Sequence, residues 1–404
     1  MKAVFVLQAD PYVPSPGVRA LREASTLKKM GFDVEFVSWI KKVPGAKVDE
    51  PYPVTWVVRR PPSLGRGKFL ARGVAYLRTM RKMAREIASA NPDLIVAHDL
   101  EVLYAAVLAS QRTGAPVVYD SHEDWPSLVA DNSFVESVAA GLVERWLVRR
   151  VAHVVTVSPS IAGRFTRWGA DASVLYSARP RGGIEPAISK ESARRSVGIP
   201  EDAFVVGFVG NLHEITTKGD TFRHLLYAAC QLRKERVVFA IVGGPDDIAK
   251  RLRERVRAES LDGVIRVQGF VPYESLGVWY SSLDAGLILL DPRPNHFKSL
   301  PNKLFDYMAR GIPVIAPDFP DLRQVIQGSG CGMLMHGWAS GGRPDDVILA
   351  ETVKLLAGNR DVARVAGSNG KVAFETRFSW DVQEEAFRGI VEGVMAWKCV
   401  TCAA

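Results

Sequence analysis

Cysteine is scarce in this chain: 404 residues hold four of them. A chain this long is not built on a disulfide framework of four cysteines. Cys399 and Cys402 form a C-x-x-C close to the end, but a zinc site of that kind needs a second pair, so the two read as a tail and no metal is expected there. Long apolar runs are missing as well. No stretch approaches the roughly 18 uninterrupted apolar residues of a membrane span. Ahead of Asp10 and Pro11 stands only the short run Ala3–Leu7, less than the apolar core of a signal peptide. A cytoplasmic place is therefore expected, with the inner face of the cell membrane as the alternative. No repeat of about 20 to 50 residues is evident, which argues against a solenoid. Helix-turn-helix and base-stacking motifs are also absent, so nucleic acid is not an expected partner.

What is present suits a soluble α/β protein. Hydrophobic residues make up 47%, enough for two cores of ordinary size. The formal charge is 52 − 44 = +8, which favours anionic partners such as nucleotide phosphates or an anionic membrane surface. Short apolar runs recur at Ala3–Leu7, Val34–Trp39, Val54–Val58, Leu94–Ala97, Val117–Tyr119, Val154–Val157 and Val174–Tyr176. Such runs are the mark of parallel strands buried on both faces, and helical stretches such as Leu21–Met30 separate most of them. Residues 180–200, rich in Pro, Gly and charge, read as a linker. A second alternating series follows at Phe204–Val209, Val237–Val242, Val264–Val267, Gly286–Leu290 and Pro313–Ala316. Two doubly wound domains are expected, 1–185 and 186–378, with a last helix over 379–404 returning to the first. Ligands of such sheets sit outside the carboxyl ends of the strands, so two facing domains would place a cleft between them.

Three segments carry chemistry. GNLHEITTKGD follows the strand Phe204–Val209, with Gly210 closing the strand and Lys218-Gly219 opening the next helix. A glycine turn, a lysine and a helix N-terminus together make a diphosphate site. SLPNKLFDYMARGIPVIAP, residues 299–317, leads from a polar loop into a helix over Lys303–Arg310, with Asp306 one turn after Lys303. A carboxylate there can accept hydrogen bonds from ribose hydroxyls, and the helix N-terminus can take phosphate oxygens. QGFVPYESLGVWY, from residue 268, contains a Gly-Phe-Val-Pro turn against which a flat base could lie, with Phe270 or Tyr273 stacking on it. Asp246-Asp247, after Gly-Gly-Pro, reads as a helix N-cap rather than a metal-binding pair.

In this order and spacing the three segments resemble the C-terminal half of family 4 glycosyltransferases of the GT-B fold, over most of 203–400. The resemblance implies two facing Rossmann-like domains and a nucleotide diphosphate sugar as co-substrate. It further implies transfer of a hexose-type unit from a UDP- or GDP-sugar to a glycan or lipid-linked acceptor, with retention of configuration and without metal or other cofactor. Carried onto this chain, it assigns catalysis to His122, Lys218 and Asp306. Donor contacts fall to Gly17, Arg19, Gly210, Asn211, Phe270, Val271, Tyr273, Pro301, Asn302 and Lys303. His98, which ends the strand reading IVAHD, is a second candidate histidine. Many members carry two glutamates seven residues apart; here Lys298 stands at the first and Asp306 at the second. Lys298 is thus a candidate cation, and the sugar contact of the first glutamate is unassigned. Two alternatives follow from that departure: a catalytically weak partner subunit of the same fold, or a GT-B sugar-nucleotide epimerase. The basic segment 59–85, with Arg59, Arg60, Arg66, Lys68, Arg72, Arg78, Arg81, Lys82 and Arg85 among apolar residues, is either an amphipathic membrane contact or a surface helix packed on its own core.

Overall fold

The computed structural model describes residues 1–12, 17–41, 51–58, 69–130, 133–182, 188–216 and 220–403. They form two compact units, one of Met1–Ser177 with Gln383–Ala404, the other of Ala178–Val382.

The first unit is organised by a seven-stranded sheet of β1 (Lys2–Leu7), β2 (Asp33–Ile40), β3 (Val54–Val58), β4 (Leu94–His98), β5 (Val117–Ser121), β6 (His153–Thr156) and β7 (Ala172–Val174). Their order is β3-β2-β1-β4-β5-β6-β7, and every pairing is parallel. The strands β4 and β5 are buried at every residue, which explains their nearly unbroken apolar sequence. Val4, Val6, Ile95, Ala97, Val117 and Tyr119 join one apolar cluster with Met80, Met83, Ala84 and Ile87 of the helix Phe69–Ser89. The later turns of this helix pack inward through Met80, Met83, Ala84 and Ile87, while Val74 and Leu77 are exposed; residues 59–68 and the side chains of 69–72 lie outside the described residues. From Gln383 the last helix, Trp380–Ala403, belongs with this unit. Gln383 Oε1 accepts from the Tyr176 N–H at 3.0 Å, and Glu384 pairs with Lys29 at 2.7 Å. The side chains of Cys399 and Cys402 lie outside the described residues.

The second unit carries β8 (Phe204–Val209), β9 (Val237–Val242), β10 (Ile265–Gln268), β11 (Ala285–Leu287), β12 (Val314–Pro317) and β13 (Gly332–Met335) in the order β10-β9-β8-β11-β12-β13, again all parallel. The unit begins earlier than residue 186, and the expected linker is largely built. Lys190–Val197 is a helix with Ser189 accepting from the Ser192 N–H and left-handed Gly198 ending it. Arg194 is buried there, bonding the Ser282 and Glu201 carbonyls and pairing with Asp284. Ser282 and Asp284 are remote in sequence, which is why a charged, Pro-rich stretch hid a packed helix.

In each sheet the strand order reverses once, between β1 and β4 and between β8 and β11. Those are the switch points at which α/β sheets open a crevice beyond their carboxyl ends.

Candidate active site

At the switch point of the first unit the helix Gly17–Lys29 starts so close to the preceding loop that a Cβ on Gly17 would lie 2.0 Å from the Pro11 carbonyl oxygen. Glycine is required there by contact with backbone. Arg19, two residues on, does not present a free cation. Its guanidinium, 4% exposed, holds both oxygens of Asp120 at 2.6 and 2.7 Å and donates to the Leu175 carbonyl at 2.6 Å, with Glu23 at 3.2 Å. Arg19, expected as a donor contact, is thus engaged by partners within the unit.

Parallel register places His98 of β4 beside Asp120 of β5. His122, two residues beyond Asp120, falls on the same side of the chain. His122 Nε2 lies 2.8 Å from Asp120 Oδ2 and 3.1 Å from His98 Nδ1, and its Nδ1 is 3.5 Å from Asp99 Oδ2. The two candidate histidines form one cluster but differ in state. Burial lowers the pKa of the His98 ring, and the nearby Asp120 does not offset it. Burial would lower His122 as well, but Asp99 and then Asp120 outweigh it and raise its pKa. The Asp120 carboxyl would be raised by burial, yet Arg19 and His122 hold it well below the usual range. Glu23 is pushed well up by burial and by the Asp120 charge.

Asp99 precedes the helix Leu100–Thr113 with φ 66°, uncommon for a residue with a side chain, and its carboxylate does not cap that helix. Instead Oδ1 accepts from the His122 backbone N–H at 3.0 Å and from Trp125 Nε1 at 3.3 Å. The carboxylates around His122 are therefore Asp99 and Asp120. The signal for Asp120 was available in the sequence, as a charge inside the buried strand VVYDS.

His98, Asp120 and His122 bring donor atoms within 4.8 Å of one another, a grouping with metal-ligand chemistry. Both Asp120 oxygens are already taken by Arg19, so a cation would have to displace or face the guanidinium. The cluster as built is an ion-pair network.

In the second unit, Gly210 leaves β8, and a Cβ on Gly243 would lie 1.7 Å from the Gly210 carbonyl oxygen. The two turns after β8 and β9 touch backbone to backbone. Asn211 is exposed, and its Oδ1 accepts from the His213 N–H at 3.0 Å. The helix Asn302–Ala309, preceded by Pro301, is drawn to the same strand end by Tyr307, whose hydroxyl donates to the Gly207 carbonyl at 2.9 Å and accepts from the Val209 N–H at 3.1 Å. Lys303 is buried against this corner, paired with Glu214 and 3.9 Å above the Phe208 ring. Burial lowers the pKa of its ammonium, and Glu214 only partly opposes that. Asp306 is paired with Arg179, whose guanidinium lies 4.2 Å over the Tyr273 ring. Sequence reasoning missed Glu214 and Arg179; neither carries a local pattern. Lys298 closes a short turn of helix, His296–Lys298, ahead of Pro301. Lys218 lies outside the described residues.

The turn after β10 is fixed by Asp246, whose Oδ1 accepts from the Phe270 N–H at 2.7 Å. Asp246 opens the helix Asp246–Ala258, and Pro245 holds the cap position assigned to the acidic pair. Phe270 is 66% exposed, Val271 partly so and Tyr273 40%. Two aromatic rings thus stand on the surface at the carboxyl end of the sheet.

The profile of a glycosyl transferase 4-like domain matches residues 16–175, and that of glycosyl transferases group 1 matches 203–354. A D-inositol 3-phosphate glycosyltransferase of Streptomyces bingchenggensis is 26% identical over 319 residues, covering 74% of this chain and 67% of the relative. One of Thermomonospora curvata is 26% identical over 254 residues, 57% of this chain and 56% of the relative. Among solved structures, sucrose-phosphate synthase of Thermosynechococcus elongatus superposes with a TM-score of 0.76 at 16% identity, over 98% of this chain and 100% of that one. HepE of Anabaena, solved with UDP and with UDP-glucose, superposes with a TM-score of 0.70 at 17% and 16% identity, over 97% and 100% of the two chains.

Proposed function

The chain belongs to the GT-B glycosyltransferases, a glycosyl transferase 4-like domain followed by a group 1 domain, and on that premise we propose that it moves a hexose-type sugar from a nucleotide diphosphate donor to a glycan or lipid-linked acceptor. The observation that supports this most is in the second unit. The helix Asn302–Ala309 is held to the carboxyl end of β8 by Tyr307 and Lys303, and the exposed aromatic turn after β10 is linked to it through Tyr273, Arg179 and Asp306. In the proposed complex Phe270, Val271 and Tyr273 receive the base, and Asp306 takes the ribose hydroxyls. Gly210, Asn211, Pro301 and Asn302 border the diphosphate. Lys218, Lys303 and Lys298 would neutralise the leaving group. In the first unit Gly17 and His122 are the residues proposed to serve the donor. The reaction is proposed to retain configuration without a metal, a phosphate oxygen of the leaving diphosphate taking the acceptor's proton. A cytoplasmic place suits such a donor.

A thermal-shift screen over UDP-, GDP- and ADP-sugars tests the donor, because a ligand that binds only the folded state raises its melting temperature. UDP-glucose is the first donor to try, given the HepE complex, and inositol 3-phosphate the first acceptor, given the named relatives. A shift with one nucleotide sugar and none with the others would assign the base. No shift with any of them, in a folded sample, would sink the proposal.

One observation favours a second reading. Asp306 and Lys303 are both engaged by neighbours, and Lys298 stands where many relatives have a glutamate. A weak partner subunit would bind the nucleotide yet neither hydrolyse nor transfer the sugar, which a turnover assay separates.

A further inference from the structure

The helix Phe134–Val148 is anchored on one side only. Glu144, fully buried, accepts from the Tyr119 hydroxyl at 2.9 Å and pairs with Arg164, which also holds Asp124 at 2.8 Å. Leu147 and Val148 are buried beside it. That polar anchor sets which way the helix faces, since turning it would strand a buried carboxylate.

The opposite face is apolar and uncovered. Phe134 is 79% exposed, Leu142 64% and Trp146 47%, with Val135, Val138 and Val143 exposed beside them. At about 100° per residue all six fall within one half of the helix circumference. Arg145 lies in the same half, and Arg149 and Arg150 follow, exposed, just past the helix end, with Arg150 3.9 Å over the Trp146 ring. Glu136, at the rim, is the only carboxylate of the helix that is not buried.

We propose that this face docks on an anionic lipid bilayer, the apolar side chains entering the acyl boundary and the arginines meeting headgroup phosphates. Aromatic and aliphatic residues over one face, with basic residues beside them and few acids, are the composition of a helix lying in a membrane interface. Charge complementarity selects lipid over a second copy of the chain. A second copy would bring its own three arginines to a face with no carboxylate except Glu136, whereas phosphodiesters answer all three. The contact differs from the one expected of the basic segment 59–85, whose described helix sends Met80, Met83 and Ile87 into the core.

Co-sedimentation with vesicles tests it, using phosphatidylcholine alone and phosphatidylcholine doped with phosphatidylglycerol. The native chain is expected to sediment with the doped vesicles and to be released by salt. The double variant Leu142→Glu, Trp146→Glu should lower partitioning at least about tenfold. Replacing Arg145, Arg149 and Arg150 by Ala should lower it about fivefold per charge and blunt the salt effect. All these side chains are exposed, so melting temperatures should hold; Val362→Glu, an exposed apolar site on the other unit, should bind as the native chain does. Failure to sediment with doped vesicles at low salt overturns the proposal. So does native-like binding by the double variant, or a concentration-dependent dimer that the double variant abolishes. None of these readouts uses donor or acceptor, so failure here leaves the transferase reading standing, and the reverse holds.

Discussion

Asp120 Oδ2 lies 2.8 Å from His122 Nε2, while the same carboxylate is clasped on both oxygens by Arg19. One buried anion thus serves two cations. It ties the start of the helix Gly17–Lys29 to β5 and to His122. Asp99 meets the other ring nitrogen at 3.5 Å and fixes the backbone of His122 as well. A histidine held this way has its ring oriented and its protonated form favoured by two carboxylates.

The sign of its pH dependence follows. His122 has a raised folded pKa, so its contribution to stability is complete below about pH 6.5 and fades as pH rises through the folded value. His122→Gln should therefore lower the melting temperature most near about pH 6, and the gap to the native protein should close toward about pH 9. Melting curves across that range check it. A gap independent of pH would mean that His122 is not charged in the folded state.

Asp120→Asn tests the other side of the pair. The variant leaves Arg19 buried against a neutral partner, and loss of one member of a buried pair costs about 3–5 kcal/mol. Since Asp120 has a lowered folded pKa, its contribution is present above about pH 3.8 and lost as pH falls through the folded value. At neutral pH denaturant unfolding should show a loss of that order, and turnover should fall with it. A change below about 1 kcal/mol would show that Arg19 finds other partners.

Arg179 and Asp306 give a test specific to donor binding. The ion pair occupies the carboxylate to which ribose is assigned; Arg179 is partly exposed, but Asp306 is buried. Arg179→Ala takes the ion-pair partner from a buried carboxylate, so stability should fall by about 1–3 kcal/mol, while the freed carboxylate should bind the nucleotide more tightly. Calorimetric titration with the nucleotide diphosphate measures it. Weaker binding would place Arg179 itself among the donor contacts.

Much of this was legible in the sequence, and what was not has a common cause. The parallel strands announced themselves because residues such as Ile95–Ala97 and Val205–Val206 are buried on both faces and must be apolar. Gly17, His122, Lys303 and Asp306 could be singled out because they sit in local patterns at strand ends and helix starts. Arg179 was missed because its partner is 127 residues away, and Glu214 because Lys303 is 89 away. The helix Lys190–Val197 was taken for linker for the same reason, since Arg194 finds Asp284 90 residues on. The strand Gly332–Met335 is short, and glycine and cysteine before it masked the pattern.

Phe270 separates binding from folding most cleanly. Its ring is 66% exposed, while its backbone is held by Asp246 through the N–H, a bond that any side chain at 270 keeps. Phe270→Ala should therefore change stability by less than about 0.5 kcal/mol. If the ring stacks on the nucleotide base, its loss removes about 1–3 kcal/mol, so the nucleotide Kd should rise between about fivefold and a hundredfold. Asp246→Asn should do less, because an amide oxygen still accepts from the Phe270 N–H. Native-like nucleotide affinity in Phe270→Ala would move the base away from this turn and leave Tyr273 as the ring to test next.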